Sequence, residues 1–124
     1  MGYNVLVVED EPFIRQVLAE LLEEEGHCVS TAIDGEAALD TIANHAPDLV
    51  LADVMMPRLG GLGLSHRLRE RGYEFPIVLM SAVYAEIDIP GVKFIPKPFD
   101  VDQMLAILQR VLETHPRPEP GSAH

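Results

Sequence analysis

The chain has 124 residues, the length of a single domain, with 48% apolar residues, 6% aromatics and a formal net charge of −11. That charge would be repelled by phosphate backbones and anionic lipid, which argues against nucleic acid and membrane surfaces as partners and favours proteins and cations. One cysteine excludes an intramolecular disulfide, and no apolar run approaches a signal-peptide core or a membrane span, so a cytoplasmic protein with an aliphatic core is expected.

In chain order, the first predicted element is a strand at Val5–Val8, a continuous apolar run of the kind buried on both faces of a parallel sheet. Pro12 then opens a helix whose apolar residues Ile14, Val17, Leu18, Leu21 and Leu22 recur at helical spacing, and Gly26 ends it. Cys28–Ala32 alternates weakly and reads as an edge strand, with Cys28 partly buried. A second helix is expected after Asp34-Gly35. Leu49–Ala52 is another buried strand, stopped by Asp53 and a turn rich in Met, Pro and Gly. A helix follows over Gly61–Arg71, where Leu64 and Leu68 share a face, and then a third continuous run at Ile77–Met80. From Val83 to Gly91, β-branched residues and Pro90 leave room for one helical turn at most, so a full helix is not expected there. Val92–Ile95 reads as the second edge strand. The last helix carries Val101, Met104, Leu105, Leu108, Val111 and Leu112, with Asp100 as N-cap and Phe99 as a hydrophobic staple onto Met104. The domain is expected over residues 1–113, with 114–124 a flexible Pro-rich tail. The histidines at 27, 45, 66, 115 and 124 show no metal spacing and are expected on the surface or in the tail.

Regular alternation of strand and helix demands a parallel sheet with right-handed crossovers and helices on both faces. Ligands of such sheets bind beyond the carboxyl ends of the strands. The residues there are Glu9 and Asp10, then Asp53, then Ser81, then Lys97 between Pro96 and Pro98. Formal charges at Glu9, Asp10, Asp53 and Lys97 leave a net −2, and carboxylates gathered this way repel unless a proton or cation intervenes. Hard oxygen donors without His or Cys suit Mg²⁺. A carboxylate nucleophile at Asp53, a cation, and Lys97 and Ser81 to hold phosphoryl oxygens together suit phosphoryl transfer onto Asp53.

The motifs "VVEDE" at Val7–Glu11, "DVMMPRLGG" at Asp53–Gly61, "MSA" at Met80–Ala82 and "KPF" at Lys97–Phe99 resemble those of the receiver domain of two-component response regulators. The resemblance spans Asn4 to Glu113. It implies a flavodoxin-like, five-stranded parallel sheet in order 2-1-3-4-5, here with the fourth helix short or absent. It also implies a signalling phosphoacceptor rather than an enzyme acting on a separate substrate: phosphotransfer from a histidine kinase or histidine phosphotransfer protein to Asp53. Mg²⁺ would be held by Asp10, Asp53 and the backbone carbonyl of Met55, with Glu9 acting partly through water. Lys97 would pair with the phosphoryl group, followed by a cis bond to Pro98. Ser81 and Phe94 would form the switch, Phe94 acting through packing because it lacks a hydroxyl. Met55 and Val83, both apolar beside the site, imply slow hydrolysis of the phosphoryl group.

Output would pass to a downstream protein target or to an output domain outside this chain, since too few residues follow Glu113 for a DNA-binding helix-turn-helix. The alternative is a phosphorylation-independent interaction module, binding a partner helix around Phe13, Ile14 and Arg15. A phosphatase of the aspartate-nucleophile type is excluded, because "EDEPF" at Glu9–Phe13 lacks the "DxDxT" pattern.

Overall fold

The apolar runs become strands and the stretches at helical spacing become helices. The computed structural model describes residues 2–82 and 89–114. In chain order these form β1 (Asn4–Val8), α1 (Pro12–Glu24), β2 (Cys28–Ala32), α2 (Gly35–Asn44), β3 (Leu49–Asp53), α3 (Gly61–Glu70), β4 (Ile77–Ser81), β5 (Val92–Pro96) and α4 (Val101–Thr114). The five strands pair in parallel in the order β2-β1-β3-β4-β5. The order and the edge positions of β2 and β5 are as expected from the sequence.

Why the sheet is covered on both faces can be read from β1. Side chains alternate across a strand, so Val5 and Val7 enter a core with Leu18, Leu22, Met104 and Leu108 of α1 and α4. Leu6 and Val8 enter the opposite core with Leu39, Ile42, Leu64 and Leu68 of α2 and α3. β3 and β4 are buried along their whole length, which is why they lack polar alternation in the sequence.

Local chemistry sets the helix ends. Pro12 occupies the first turn of α1, while the Glu11 side chain accepts from the Phe13 N–H at 3.0 Å. Gly26, at φ 93°, turns the chain away after α1. Asp100 Oδ1 accepts from the backbone N–H groups of Asp102 and Gln103 at 2.8 and 3.4 Å before α4, and Phe99 packs against the core that contains Met104. The helix runs through Thr114. Most of the short connection expected at Val83–Gly91, including Val83 itself, lies outside the described residues, as does the tail from 115 onward.

Two expectations are corrected. Cys28 is exposed, at the start of edge strand β2. His27, expected at the surface, is buried. Its Nδ1 accepts from the Tyr3 N–H at 3.2 Å, and the two rings lie 6.0 Å apart.

Candidate functional site

Parallel strands that start in register end together, so β1, β3, β4 and β5 bring their last residues to one edge. Asp53 closes β3 and is buried. Its Oδ1 accepts from the Met55 N–H at 2.9 Å, and its Oδ2 is paired with the Lys97 ammonium. Ser81, also buried, closes β4. The Lys97 N–H donates to the Ser81 carbonyl at 2.9 Å, continuing the β4–β5 ladder past Pro96. The Lys97–Pro98 peptide bond is cis.

Glu9 is only 2% exposed. Its Oε2 accepts from the Glu11 N–H at 3.1 Å, while its buried Oε1 has no hydrogen-bond partner among the described residues. Burial first of all pushes this carboxyl up to about 7, and the charge of Asp53 and the neighbouring Asp10 carboxyl add to the rise; the Glu11 N–H and Lys97 pull the other way. Asp10 itself is exposed. Arg15, one turn into α1, donates from Nη1 to the Glu9 carbonyl at 2.8 Å and so fixes the backbone of the acidic pair.

The structure thus brings together Glu9, Asp53, Ser81 and Lys97, with Asp10 at the rim. Met55 follows Asp53 and is 65% exposed. Phe94 lies half-buried on β5, in register with Leu79 of β4 and on the strand face opposite Ile95. Among the described residues no three His, Cys, Asp or Glu side chains form a ready cluster for a metal ion. A hard cation that keeps several waters needs only one or two carboxylates. The unpartnered Glu9 Oε1 and the all-oxygen donor set fit such an ion.

The glycines after Asp53 allow the chain to fold back tightly. A Cβ on Gly61 would lie 2.7 Å from the Asp53 carbonyl oxygen and 2.8 Å from Leu79 Cδ2. The loop leaving the site also carries a residue the sequence did not single out: Arg58, between Asp53 and α3, whose guanidinium pairs with Asp34 at the start of α2. The signal available in the sequence was limited to the turn-forming composition of "PRLGG".

No helix among the described residues is long and apolar enough to cross a membrane. Residues 5–109 match the response regulator receiver domain family. The response regulator MprA of Mycobacterium sp. (strain KMS) is 39% identical over 129 residues, covering 98% of this chain and 56% of that protein. The chain therefore spans about half the length of the curated relatives it matches. Among solved structures, the receiver domain of NtrX from Brucella abortus superposes with a TM-score of 0.78 at 38% identity, over 89% of this chain and 98% of that one. The signal receiver domain of a signal transduction histidine kinase from Syntrophus aciditrophicus gives a TM-score of 0.86 at 25% identity, over 98% of each chain. A family match across most of the sequence, on a sheet of the same strand order with its charged residues at the carboxyl edge, leads to one conclusion: the chain belongs to the response regulator receiver domain family.

Proposed function

We propose that the domain accepts a phosphoryl group on Asp53 from a histidine kinase or histidine phosphotransfer protein, in a Mg²⁺-dependent transfer that controls binding to a downstream protein or an output domain. The observation that carries this reading is the pairing of a buried strand-end carboxylate, Asp53, with the Lys97 ammonium beside a second buried carboxylate, Glu9, that has an unpartnered oxygen. A carboxylate oxygen of Asp53 attacks phosphorus, the P–N bond to the donor imidazole breaks, and the imidazole leaves with its electron pair and takes up a proton. Lys97 is placed to follow the developing charge on the phosphoryl oxygens. Asp10, Asp53 and the Met55 carbonyl would hold Mg²⁺, with Glu9 acting through water. When bound, the cation supplies charge neutralisation at the phosphoryl oxygens.

Ser81 is the residue to accept a new hydrogen-bonding role at the phosphoryl group, and Phe94 responds by repacking. Apolar Met55, with Val83, offers no acid or amide to position an attacking water, so the phosphoryl group is expected to hydrolyse slowly. A measured lifetime of seconds would overturn that part.

The test is intact mass after incubation with acetyl phosphate, with and without Mg²⁺, on the wild type and Asp53→Asn. One adduct requiring both Mg²⁺ and Asp53 is the expected result. A second reading, a phosphorylation-independent interaction module, is favoured by one observation: Phe13 is 72% exposed on α1, beside a half-exposed Ile14. A folded protein that takes no adduct would support it.

A further inference from the structure

We propose that Arg58 and Asp34 form a latch that fixes the loop after the phosphoacceptor, making Arg58 a positioning residue for the backbone at Met55; the inference rests on the phosphoacceptor reading above. Its starting point is a backbone anomaly. The Leu59 N–H donates to the Pro57 carbonyl at 2.8 Å, closing a three-residue turn around Arg58, whose φ is 67°. A tight turn with positive φ at a long side chain is rare and strained. Such strain persists only where the surroundings over-determine it.

The surroundings here are two attachments to the start of α2. The Arg58 Nε donates to Asp34 Oδ2 at 2.5 Å, and the Gly35 N–H donates to the Leu59 carbonyl at 2.8 Å. The second attachment requires glycine, because a Cβ at Gly35 would lie 2.5 Å from the Leu59 oxygen. Asp34 is 2% exposed and its Oδ1 also caps α2 through the Ala37 N–H at 2.8 Å. That N–H above all, with help from Arg58 and against the effect of burial, holds the carboxyl below the usual aspartate range, so it is ionised at neutral pH.

The other end of the loop is tied to the sheet. The Val54 N–H donates to the Met80 carbonyl at 3.0 Å, and the Gly61 N–H donates to the Val54 carbonyl at 3.2 Å. Met55 lies between the sheet anchor and the latch, with its own N–H on Asp53 Oδ1. A backbone carbonyl can serve as a cation ligand only if the segment carrying it is held. The latch supplies the hold that an exposed Met55 side chain does not.

The test is a Mg²⁺ titration of the full chain, read from backbone amide shifts at Asp10 and Met55, for the wild type, Arg58→Gly, Asp34→Asn and the double variant. Glycine adopts positive φ without strain, so Arg58→Gly removes the ion pair while easing the turn. Its unfolding midpoint without Mg²⁺ should change little. The Mg²⁺ dissociation constant should rise about fivefold in each single variant and no further in the double, since each breaks the same latch. An unchanged dissociation constant in Arg58→Gly, or additive losses in the double, would overturn the latch. Arg58→Gly decides the matter alone if Asp34→Asn does not fold. A wild-type chain that shows no Mg²⁺ binding would instead overturn the phosphoacceptor reading, and the latch's purpose with it.

Discussion

The two ends of the sheet are built on opposite terms. At the amino end, the Asn4 N–H donates to Asp48 Oδ2 and the Asp48 N–H returns to the Asn4 carbonyl, both at 2.7 Å, while Tyr3 is held by His27 and Cys28. Polar groups there find one another. At the carboxyl end, a buried Glu9 oxygen has no partner among the described residues, and a carboxyl pushed up to about 7 sits near Asp53. An unpartnered buried polar atom costs stability, so the carboxyl end gives up stability that the amino end keeps. One sheet can carry both because its two continuous cores lie between the ends.

The comparison can be broken or sharpened by substitution, and the largest effect belongs to the carboxyl end. Lys97→Ala should slow adduct formation from acetyl phosphate about 100-fold, as loss of one preorganised charge partner does elsewhere; initial rates by intact mass check it. Asp48→Ala at the amino end should cost about 1.5 kcal/mol in denaturant unfolding and leave the adduct rate as it was. A changed rate would show that the two ends are coupled.

Glu9→Gln should do the reverse, stabilising the cation-free protein by about 1 kcal/mol at pH ~8, a figure already reduced for solvent screening. The sign follows from the raised carboxyl: the folded chain keeps a proton that the unfolded chain releases near 4.5, so ionising Glu9 costs stability as pH rises from 4.5 to about 7. The advantage of the variant should therefore vanish below pH 4.5, which unfolding midpoints across pH would record.

The smallest effect concerns His27, whose pKa burial lowers from the ordinary 6.5, with the nearby Glu25 opposing. Its contribution is fully present above pH 6.5 and declines as pH falls through 6.5 toward the lowered folded value, because the unfolded chain takes up the proton first. His27→Gln should flatten the pH dependence of the unfolding midpoint in that window.

Much of this was legible in the sequence, for particular reasons. β1, β3 and β4 are buried on both faces, so each appears as an unbroken apolar run, and the first polar residue after each run marks the carboxyl edge. That rule alone reaches Glu9, Asp53 and Ser81. Cys28 and His27 were less legible because edge strand β2 has little apolar alternation, and because His27 packs with Tyr3, 24 residues earlier and just before the start of the neighbouring strand. Asp34 was legible as the start of a helix through its neighbour Gly35. Its partner Arg58 was not, because an ion pair between residues 24 apart in sequence leaves no local periodicity.

The hydrogen bond from the Lys97 N–H to the Ser81 carbonyl also limits how the domain can respond. It stitches together the backbones that carry two of the side chains around Asp53, and the β4–β5 ladder behind it holds Phe94 opposite Leu79. Sliding one strand past the other would break that whole seam. Along this seam, turning a side chain breaks fewer backbone hydrogen bonds than sliding β4 past β5, and under the proposed phosphorylation of Asp53 that favours a response by side chains such as Ser81 and Phe94.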